Sequence, residues 1–351
     1  MREKIPVGVL AATGSVGQRF VQLLDGHPWF EVTALSGSER SEGITYTDAC
    51  HWILSEAMPK SVKNIRIVST HPESIKLPIV FSALPTDIAQ NVEKEFAKAG
   101  TVVCSNASAY RKDPLVPILI PEINANQAQL IIDQREKYNW SGAIVTNSNC
   151  TSTGMTIALK PLLHHFGLQQ VIAVSMQAVS GAGYPGVASM DIMGNVIPYI
   201  QGEDEKVEWE PLKMLGEYNA GAIKPANFVI SAHTNRVAVI DGHIVCLSVK
   251  LAQKADLHDV LSALTSYNPP EVCLDLPSTP KPVIEYFKEP DRPQPRLDRY
   301  MGRGMTTGIG RLRKDPVLDY KFVVLSHNTI RGAAGGSIYN AELLLKQGFV
   351  S

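Results

Sequence analysis

The chain has 351 residues, and because single hydrophobic cores tend to stop growing at roughly 250–300 residues, we expect two domains. Apolar residues make up 44% and charged residues 19% of the sequence, which excludes a disordered or collagen-like chain. The 33 basic and 34 acidic residues give a net charge of −1, so charge gives no reason to expect nucleic acid or a membrane surface as a partner.

The cysteine pattern indicates free thiols. No two of the five cysteines form a C-x-x-C pair, so the spacing predicts neither a disulfide framework nor a metal site. No apolar run approaches the roughly 20 residues of a membrane span, and the short apolar start runs into a glycine turn unlike a signal peptide. We therefore expect a cytoplasmic protein with no membrane contact. The cysteines are Cys50, Cys104, Cys150, Cys246 and Cys273.

The first part of the chain alternates short apolar runs with helical patterns. Strands alternating with helices predict a parallel sheet built from right-handed βαβ units. We therefore predict an α/β protein whose residues 1–149 form a Rossmann-like, doubly wound domain. The predicted strands are Ile5–Leu10, Glu31–Leu35, Ile65–Val68, Ile79–Ala83, Thr101–Cys104 and Ala143–Thr146, and the predicted helices include Gln18–Leu24 and Ile88–Ala99.

The second part of the chain, from residue 150 onward, has a different sequence pattern, with longer predicted strands and a proline-rich stretch. It predicts an α+β catalytic and dimerisation domain over residues 150–330, after which a last helix within 331–351 returns to complete the first domain. Eight of the 23 prolines lie between Pro269 and Pro295, which indicates an extended arm. The predicted elements are a helix at Met155–Phe166, strands at Gln169–Val179, Arg236–Lys250, Met305–Leu312 and Tyr320–Leu325, and a closing helix at Gly336–Gln347.

The turn after the first strand has the features of a dinucleotide-binding loop. Gly14 and Gly17 would let the backbone approach a pyrophosphate at the N-terminus of the next helix, although Ala11 stands where the usual fingerprint has glycine. A tight turn without a ligand would use the same glycines. After the second strand, Ser38, Arg40 and Ser41 stand where an NAD-binding chain would carry an acidic residue, which favours the 2′-phosphate of NADP.

Cys150 is the cysteine that differs from the other four. It lies between a predicted strand and a predicted helix, where a helix N-terminus and a nearby base lower the pKa of a thiol and make it nucleophilic. The backbone amides of the same helix start could hold the oxyanion of an acyl intermediate.

His243 is the predicted base. Asp241-Gly242 is typical of a two-residue hairpin turn, and in such a hairpin Arg236 and His243 would lie on one face, about 14 Å apart along the strand. A small anionic substrate could then lie between the guanidinium and the imidazole. A histidine beside a turn is also a common surface residue.

Several motifs in one order resemble the aspartate-β-semialdehyde dehydrogenase family, in particular its archaeal and fungal branch. The resemblance spans nearly the whole chain, and Ala11 and Asn328-Thr329 depart from the family pattern without removing a chemical group. The motifs are Ala12–Phe20, Ser105–Arg111, Ser148–Thr151, Gln177–Gly183, the Arg236…His243 spacing and Asn328–Ala334.

The resemblance implies roles for individual residues. Cys150 would be the nucleophile and His243 the general acid/base, and no metal is implied. The implied substrate-binding residues are Gln177, Glu203 for the ammonium, Arg236 for the α-carboxylate, and Arg111, Lys206 and Asn106 for the phosphate. The implied NADP-binding residues are Thr13, Gly14, Ser15, Val16, Ser38, Arg40, Ser41, Ser82, Ser180, Gly181 and Asn328. From the residues alone, Glu203 and Lys206 could equally be a solvated pair on a helix, and Arg111 an ordinary surface charge.

The activity implied is NADPH-dependent reductive dephosphorylation of 4-phospho-L-aspartate to L-aspartate 4-semialdehyde through a Cys150 thioester. That step belongs to the biosynthesis of lysine, threonine, methionine and isoleucine. The partners implied are a small-molecule substrate, phosphate and further copies of the chain in a homodimer or homotetramer. Two alternatives stay open, namely a malonyl-CoA reductase on the same scaffold and a non-catalytic NADP-binding sensor.

Overall fold

The computed structural model describes residues 3–350, and the predictions that include residues 1, 2 and 351 extend outside that range. Within residues 3–350, fourteen strands and eleven α-helices follow one another. The strands are β1 (Ile5–Leu10), β2 (Phe30–Ser36), β3 (Ile67–Val68), β4 (Ile79–Ser82), β5 (Val102–Ser105), β6 (Ala143–Thr146), β7 (Leu168–Gln177), β8 (Glu217–Asn219), β9 (Ala222–Lys224), β10 (Val229–Arg236), β11 (His243–Leu251), β12 (Ile284–Phe287), β13 (Thr307–Lys314) and β14 (Tyr320–Ser326). The helices are α1 (Ser15–Leu24), α2 (Tyr46–Ala49), α3 (Thr86–Lys98), α4 (Pro121–Asn124), α5 (Leu130–Tyr138), α6 (Cys150–Phe166), α7 (Ser189–Ile192), α8 (Glu203–Met214), α9 (Leu257–Thr265), α10 (Pro295–Asp298) and α11 (Gly335–Lys346).

The first sheet is parallel throughout and has the strand order β3-β2-β1-β4-β5-β6. The order reverses between β1 and β4, and in open α/β sheets such a switch point is where ligands bind, at the carboxyl ends of the strands. Strands β4, β5 and β6 are buried along their whole length because helices cover both faces. The Rossmann-like part of the predicted fold class is thus confirmed.

The C-terminal helix α11 packs against this first sheet. Ile338, Ala341 and Leu344 belong to the same apolar core as Val7 and Val9 of β1. The chain therefore leaves the first domain after β6, builds the second, and comes back. The bounds of the two domains, 1–149 with 331–351 against 150–330, stay a prediction.

The second sheet is mixed and has the order β10-β7-β11-β14-β13-β12. Its buried face packs against α6, α8 and α9 around a core that includes Leu159, Val207, Leu247 and Leu264. The predicted α+β character of this part is confirmed. The proline-rich stretch is only partly an extended arm, because it contributes the edge strand β12, which pairs in parallel with β13.

The hairpin predicted at Asp241-Gly242 is wrong. Strand β7 lies between β10 and β11, parallel to β10 and antiparallel to β11. The segment from Arg236 to His243 therefore crosses over the end of β7 instead of folding back on itself. The Asp-Gly signal describes a local turn, and Gly242 does have a φ of +99°, but a local turn does not decide which strands pair.

This correction changes the separation of the two predicted site residues. Arg236 is opposite Gln177 in the β10–β7 pair, and β11 begins at His243 beside the same end of β7. Since neighbouring strands are about 4.8 Å apart, the two backbones are roughly 10 Å apart across the sheet, not about 14 Å along one face.

Candidate active site

The nucleophile candidate lies where the first domain passes into the second. Strand β6 ends at Thr146, and Cys150 is the first residue of α6, five residues earlier than the predicted helix start at Met155. The early start follows from the capping residue, because Asn149 Oδ1 accepts hydrogen bonds from the N–H groups of Thr151 and Ser152 at 2.9 and 3.1 Å. These two amides are therefore occupied, and the expectation that they hold an oxyanion is wrong for them.

Cys150 and His243 are in direct contact. The Cys150 Sγ lies 3.2 Å from His243 Nε2, although the two residues are 93 positions apart in the sequence. Nucleophile and imidazole within hydrogen-bond reach is the geometry that a catalytic cysteine requires.

The other ring nitrogen of His243 fixes the position of its proton. The backbone N–H of Ala178 donates to His243 Nδ1 at 3.0 Å, so Nδ1 must offer a lone pair. A neutral imidazole with an accepting Nδ1 carries its proton on Nε2. The proton of His243 is thus directed at the sulfur, and the ring acts toward Cys150 as a hydrogen-bond donor.

Burial keeps both members of the pair uncharged in the free protein. Burial, followed by the Glu203 carboxylate, raises the pKa of the Cys150 thiol to about 12, although Arg111, Arg236 and Lys206 act in the opposite direction. Burial, followed by the charge of Arg236, lowers the pKa of His243 to about 3. At neutral pH the free site therefore holds a thiol and a neutral imidazole.

Arg236 lies directly behind the pair. Its Nη1 donates to the Ala178 carbonyl at 2.7 Å. The carbonyl of Ala178 therefore holds Arg236, while the N–H of the same residue holds His243. Gly181 covers them from the cleft side, since a Cβ added there would lie 2.8 Å from Arg236 Nη1 and 3.2 Å from His243 Nε2. Gln177 is buried beside them and donates to Glu203 Oε2 at 3.4 Å.

A cleft of about 240 Å³ opens in front of Cys150. Lys206 Nζ donates to Glu203 Oε1 at 2.9 Å, and Asn149 Nδ2 donates to Glu203 Oε2 at 2.8 Å. Glu203 is only 8% exposed, so the pair belongs to the cleft and is not a solvated pair on a helix surface. Arg111 and Asn106 line the same cleft.

Arg111 is not the ordinary surface charge that its sequence neighbours allowed. It is 6% exposed, its Nη1 donates to Glu210 Oε1 at 2.9 Å, and its Nη2 donates to the Asn106 carbonyl at 2.9 Å. Two cations, Arg111 and Lys206, thus line the cleft, while Arg236 lies behind Gly181. The site can take a small molecule that carries anionic groups at both ends.

A second cleft, of about 700 Å³, adjoins the first at the switch point of the parallel sheet. Thr13, Gly14, Ser38 and Arg40 line it, and Ser41 lies beside Ser38 with their hydroxyl oxygens 3.3 Å apart. Gly14 precedes α1 and offers no capping side chain, so the amides of the first turn stay open to an anion. Hydroxyls, a guanidinium and free amides are the groups that a phosphorylated dinucleotide needs, so the residues fit NADP.

The remaining predicted cofactor residues are distributed between neighbouring surfaces. Val16, Ser180, Gly181 and Asn328 line the cleft in front of Cys150. Ser15 lines a further groove next to it, at the start of α1. Ser82 is fully buried at the end of β4, so its side chain lies beneath the binding surface and not on it.

Sequence reasoning missed two residues at this site. Glu210 is fully buried and its Oε2 accepts the Asn149 N–H at 2.6 Å. It lies seven positions after Glu203 on α8, and this helical spacing could have placed it on the same face. Gly332 packs against the nucleophile, and a Cβ there would lie 2.8 Å from Cys150 Cα. The buried ion pair of Arg331 with Glu122 holds the turn that carries Gly332.

A Rossmann-like domain joined to a mixed-sheet domain that presents a cysteine–histidine pair defines a two-domain, dinucleotide-binding class of protein. Residues 6–131 match the family model described as semialdehyde dehydrogenase, NAD binding domain, and residues 159–331 match semialdehyde dehydrogenase, dimerisation domain. The chain belongs to the semialdehyde dehydrogenase family.

Archaeal and fungal members of that family are similar to it over nearly their whole length. The chain is 50% identical to the aspartate-semialdehyde dehydrogenase of Archaeoglobus fulgidus over 97% of this chain and 98% of that protein. It is 45% identical to the enzyme of that name from Schizosaccharomyces pombe, over 98% and 99%. The crystal structure of the Candida albicans enzyme with NADP matches with a TM-score of 0.91 at 41% identity, over 99% of this chain and all of that one. The resemblance stated from the sequence motifs is confirmed.

Proposed function

We propose that this chain catalyses the NADPH-dependent reduction of 4-phospho-L-aspartate to L-aspartate 4-semialdehyde and phosphate. The relatives named aspartate-semialdehyde dehydrogenase support the reaction. The observation that carries the proposal is the contact of Cys150 Sγ with His243 Nε2 at 3.2 Å, beside a cleft that presents Arg111, Lys206 and Glu203.

The charges around the cleft match those of the substrate. Arg111 and Lys206 receive the phosphate, and Glu203 receives the ammonium group. Arg236 receives the α-carboxylate after the backbone at Gly181, which covers it, moves aside. Gln177, whose Nε2 donates to Glu203 Oε2 at 3.4 Å, orients the bound molecule. Asn106 holds Arg111 through its backbone carbonyl.

The first chemical step forms a thioester on Cys150. The sulfur attacks the acyl carbon, the bond from that carbon to the phosphate oxygen breaks, and the thiol proton leaves with the phosphate. Arg111 and Lys206 stabilise the charge on the departing phosphate. His243 donates its Nε2 proton in a hydrogen bond and so stabilises negative charge, first on the sulfur and then on the oxygen of the adduct.

The second step needs a hydride at the thioester carbon, which is the chemistry that NADPH supplies when bound. Ser180, Gly181 and Asn328 line the cleft beside Cys150, where they would hold the reactive end of the cofactor. The carbon–sulfur bond then breaks, the aldehyde leaves, and the sulfur takes up a proton to return as thiol. Thr13, Gly14, Ser15 and Val16 would hold the pyrophosphate, and Ser38, Arg40 and Ser41 would favour NADP over NAD by binding the 2′-phosphate. Ser82 would support this surface from its buried position at the end of β4.

We further infer that two copies assemble through the open face of the second sheet, as a homodimer or a pair of dimers. The opposite face is covered by helices, whereas the open face carries the exposed apolar residues Val229 and Ile172. The nearby segment 184–199 adds Met190, Met193 and Tyr199, which are 90%, 70% and 64% exposed. Exposed apolar patches of this kind mark interaction sites.

The location of the protein follows as a separate inference. Among residues 3–350, the structure shows no helix with the length and apolar character needed to cross a bilayer. All five cysteines are free, which supports a reducing compartment, so we propose the cytoplasm.

The test is a pair of assays on the purified protein. Reduction of NADP⁺ with aspartate 4-semialdehyde is expected to require phosphate, because phosphate resolves the Cys150 thioester in the reverse direction. NADPH oxidation with malonyl-CoA is expected to be at background, because Glu203 faces an ammonium group that malonyl-CoA lacks. If the protein turned over malonyl-CoA but not aspartate 4-semialdehyde, the malonyl-CoA reductase alternative would replace the proposal.

A matched pair of variants separates an enzyme from a non-catalytic sensor. Cys150→Ala is expected to abolish turnover while NADP⁺ binding persists, whereas Cys246→Ala, at a free cysteine outside the cleft, is expected to retain activity. A fully active Cys150→Ala protein would overturn the assignment of the nucleophile. A wild-type protein that binds NADP⁺ but turns over neither substrate would favour the sensor.

A further inference from the structure

Glu210 is a fully buried carboxylate for which the reaction described above has no use. It lies in α8, one turn before the end of that helix, and its two oxygens have different partners. Oε1 accepts from Arg111 Nη1 at 2.9 Å, and Oε2 accepts from the backbone N–H of Asn149 at 2.6 Å.

These two partners belong to the two halves of the active site. Arg111 faces the cleft on the phosphate side, whereas Asn149 immediately precedes Cys150 and caps α6 with its side chain. One carboxylate therefore connects the phosphate subsite to the turn that carries the nucleophile.

The chemistry of this connection demands two acceptor oxygens. Both partners are donors, so both side-chain oxygens must accept. A glutamine in the same place would offer one acceptor and one N–H₂ group, and one of the two donors would then face another donor. The positive charge of Arg111 compensates the buried negative charge, as such a group requires.

The same helix also holds the chain that follows Arg111. Lys213 Nζ, three residues after Glu210, donates to the carbonyls of Arg111, Asp113 and Val116 at 2.8, 2.7 and 2.8 Å. Glu210 and Lys213 thus fix the guanidinium and the backbone of the Arg111 loop from one helix face.

We propose that Glu210 is a positioning residue that holds the Arg111 guanidinium in the orientation that receives phosphate and, with its other oxygen, holds the turn of Cys150. The inference rests on the proposed function, since it takes Arg111 as the phosphate-binding residue. It concerns Arg111 and Asn149 and leaves the cofactor cleft unaffected.

The experiment compares Glu210→Gln with Glu205→Gln, an identical chemical change on the exposed face of the same helix. In the phosphate-dependent direction, Glu210→Gln is expected to raise the KM for phosphate roughly ten- to hundredfold, the effect of losing a buried charge-assisted hydrogen bond, and to lower kcat. The KM for NADP⁺ is expected to stay unchanged, and Glu205→Gln is expected to match the wild-type protein.

A double-mutant cycle distinguishes action through Arg111 from a general loss of structure. If Glu210 acts through Arg111, the effects of Glu210→Gln and Arg111→Ala on the KM for phosphate will not add. Should Glu210→Gln not fold, Glu210→Asp replaces it, because the shorter carboxylate keeps the charge but cannot reach both donors. The same rise in the KM for phosphate is then expected.

The outcomes separate this inference from the proposed function. An unchanged KM for phosphate, or effects that add in the cycle, would overturn the role of Glu210 while the wild-type activity stands. A wild-type protein with no phosphate-dependent activity would overturn the proposed function itself.

Discussion

The backbone of Ala178 organises the catalytic pair. Its N–H fixes the proton of His243 at Nε2, and its carbonyl holds Arg236, whose charge further lowers the pKa of His243. An imidazolium is therefore disfavoured twice, by an amide donor at one nitrogen and by a buried cation nearby. The free site differs in this respect from cysteine sites that hold a thiolate–imidazolium pair.

This protonation state predicts the pH dependence of thiol reactivity. The pKa of Cys150 is raised to about 12, so below that pH the thiolate fraction increases about tenfold with each unit of pH. The rate of Cys150 alkylation by iodoacetamide in the free protein is expected to rise roughly tenfold per pH unit from about pH 6 to 10. Mass spectrometry of the labelled protein measures it, and Cys150→Ser gives the background. A plateau at neutral pH would show instead that a thiolate–imidazolium pair is present.

Ala11 shows how the cofactor loop manages without the usual glycine. Its φ is +56°, a left-handed conformation that costs a residue with a Cβ about 1–2 kcal/mol. The turn thus keeps the left-handed backbone conformation that usually requires glycine, although alanine occupies the position.

Ala11→Gly is expected to raise the free energy of unfolding by up to about 1 kcal/mol, since relief of the left-handed strain exceeds the added entropy of the unfolded chain. The exposed Ala99, with a φ of −75°, provides the matched control, and Ala99→Gly is expected to lower the stability by about 0.5–1 kcal/mol. Urea unfolding measures both. Destabilisation by Ala11→Gly would show that the alanine methyl group contributes packing.

At the scale of elements, three pieces of the chain meet at Cys150. Helix α6 supplies the thiol, β11 supplies His243 from its first residue, and the turn Ile330–Ala334 supplies Gly332 from behind. The nucleophile is therefore held between elements of different parts of the fold. Only a hydrogen atom fits at position 332.

Gly332→Ala is expected to reduce kcat strongly, because the new Cβ would lie 2.8 Å from Cys150 Cα and 2.9 Å from Cys150 Cβ and must displace the thiol from His243. Overpacking of this kind also costs about 1–3 kcal/mol of stability. Steady-state kinetics and thermal unfolding measure the two effects, and NADP⁺ binding serves as the internal control. A wild-type kcat in Gly332→Ala would mean that the backbone at the start of α6 shifts without moving the sulfur of Cys150.

The sequence predicts the elements of this fold better than their pairing. The bounds of β1 and β6 agree with the predicted runs Ile5–Leu10 and Ala143–Thr146, because strands that are mostly buried are nearly continuous apolar segments. The Arg236–Lys250 region failed, since the insertion of β7 between β10 and β11 depends on contacts distant in the chain.

The candidate site divides in the same way. Cys150 and His243 could be selected by residue type and position, and the structure brings them together. Helical spacing could place Glu210 on the face of Glu203, but its role could not be predicted, because its partners in the Arg111 loop and the Asn149 turn lie 99 and 61 positions away. The chemistry of a side chain can be read from the sequence, whereas the partners of a buried charge depend on contacts that only the fold brings together.

At the scale of the whole molecule, the second sheet is covered on one face only. Ile172 lies on the open face in β7, one strand from the sheet edge, opposite Ser231 of β10 on one side and Ser248 of β11 on the other. It is 40% exposed in a single chain. A second copy would bury it, as the proposed assembly requires.

Ile172→Glu is expected to shift the protein from dimer toward the 38.3 kDa monomer, because a charge would be buried in the contact. Val317→Glu is the control, since Val317 is 79% exposed in the turn between β13 and β14 and lies away from that face. Analytical ultracentrifugation measures the mass of both. A dimeric Ile172→Glu protein would place the contact elsewhere.

The return of α11 to the first sheet has a consequence for the order in which the molecule is made. Strand β1 is synthesised before the second domain, but the core around Val7 and Val9 lacks Ile338, Ala341 and Leu344 until that domain has been synthesised. The first domain is thus completed only after the second, and part of its apolar core stays exposed in the nascent chain while the second domain is synthesised.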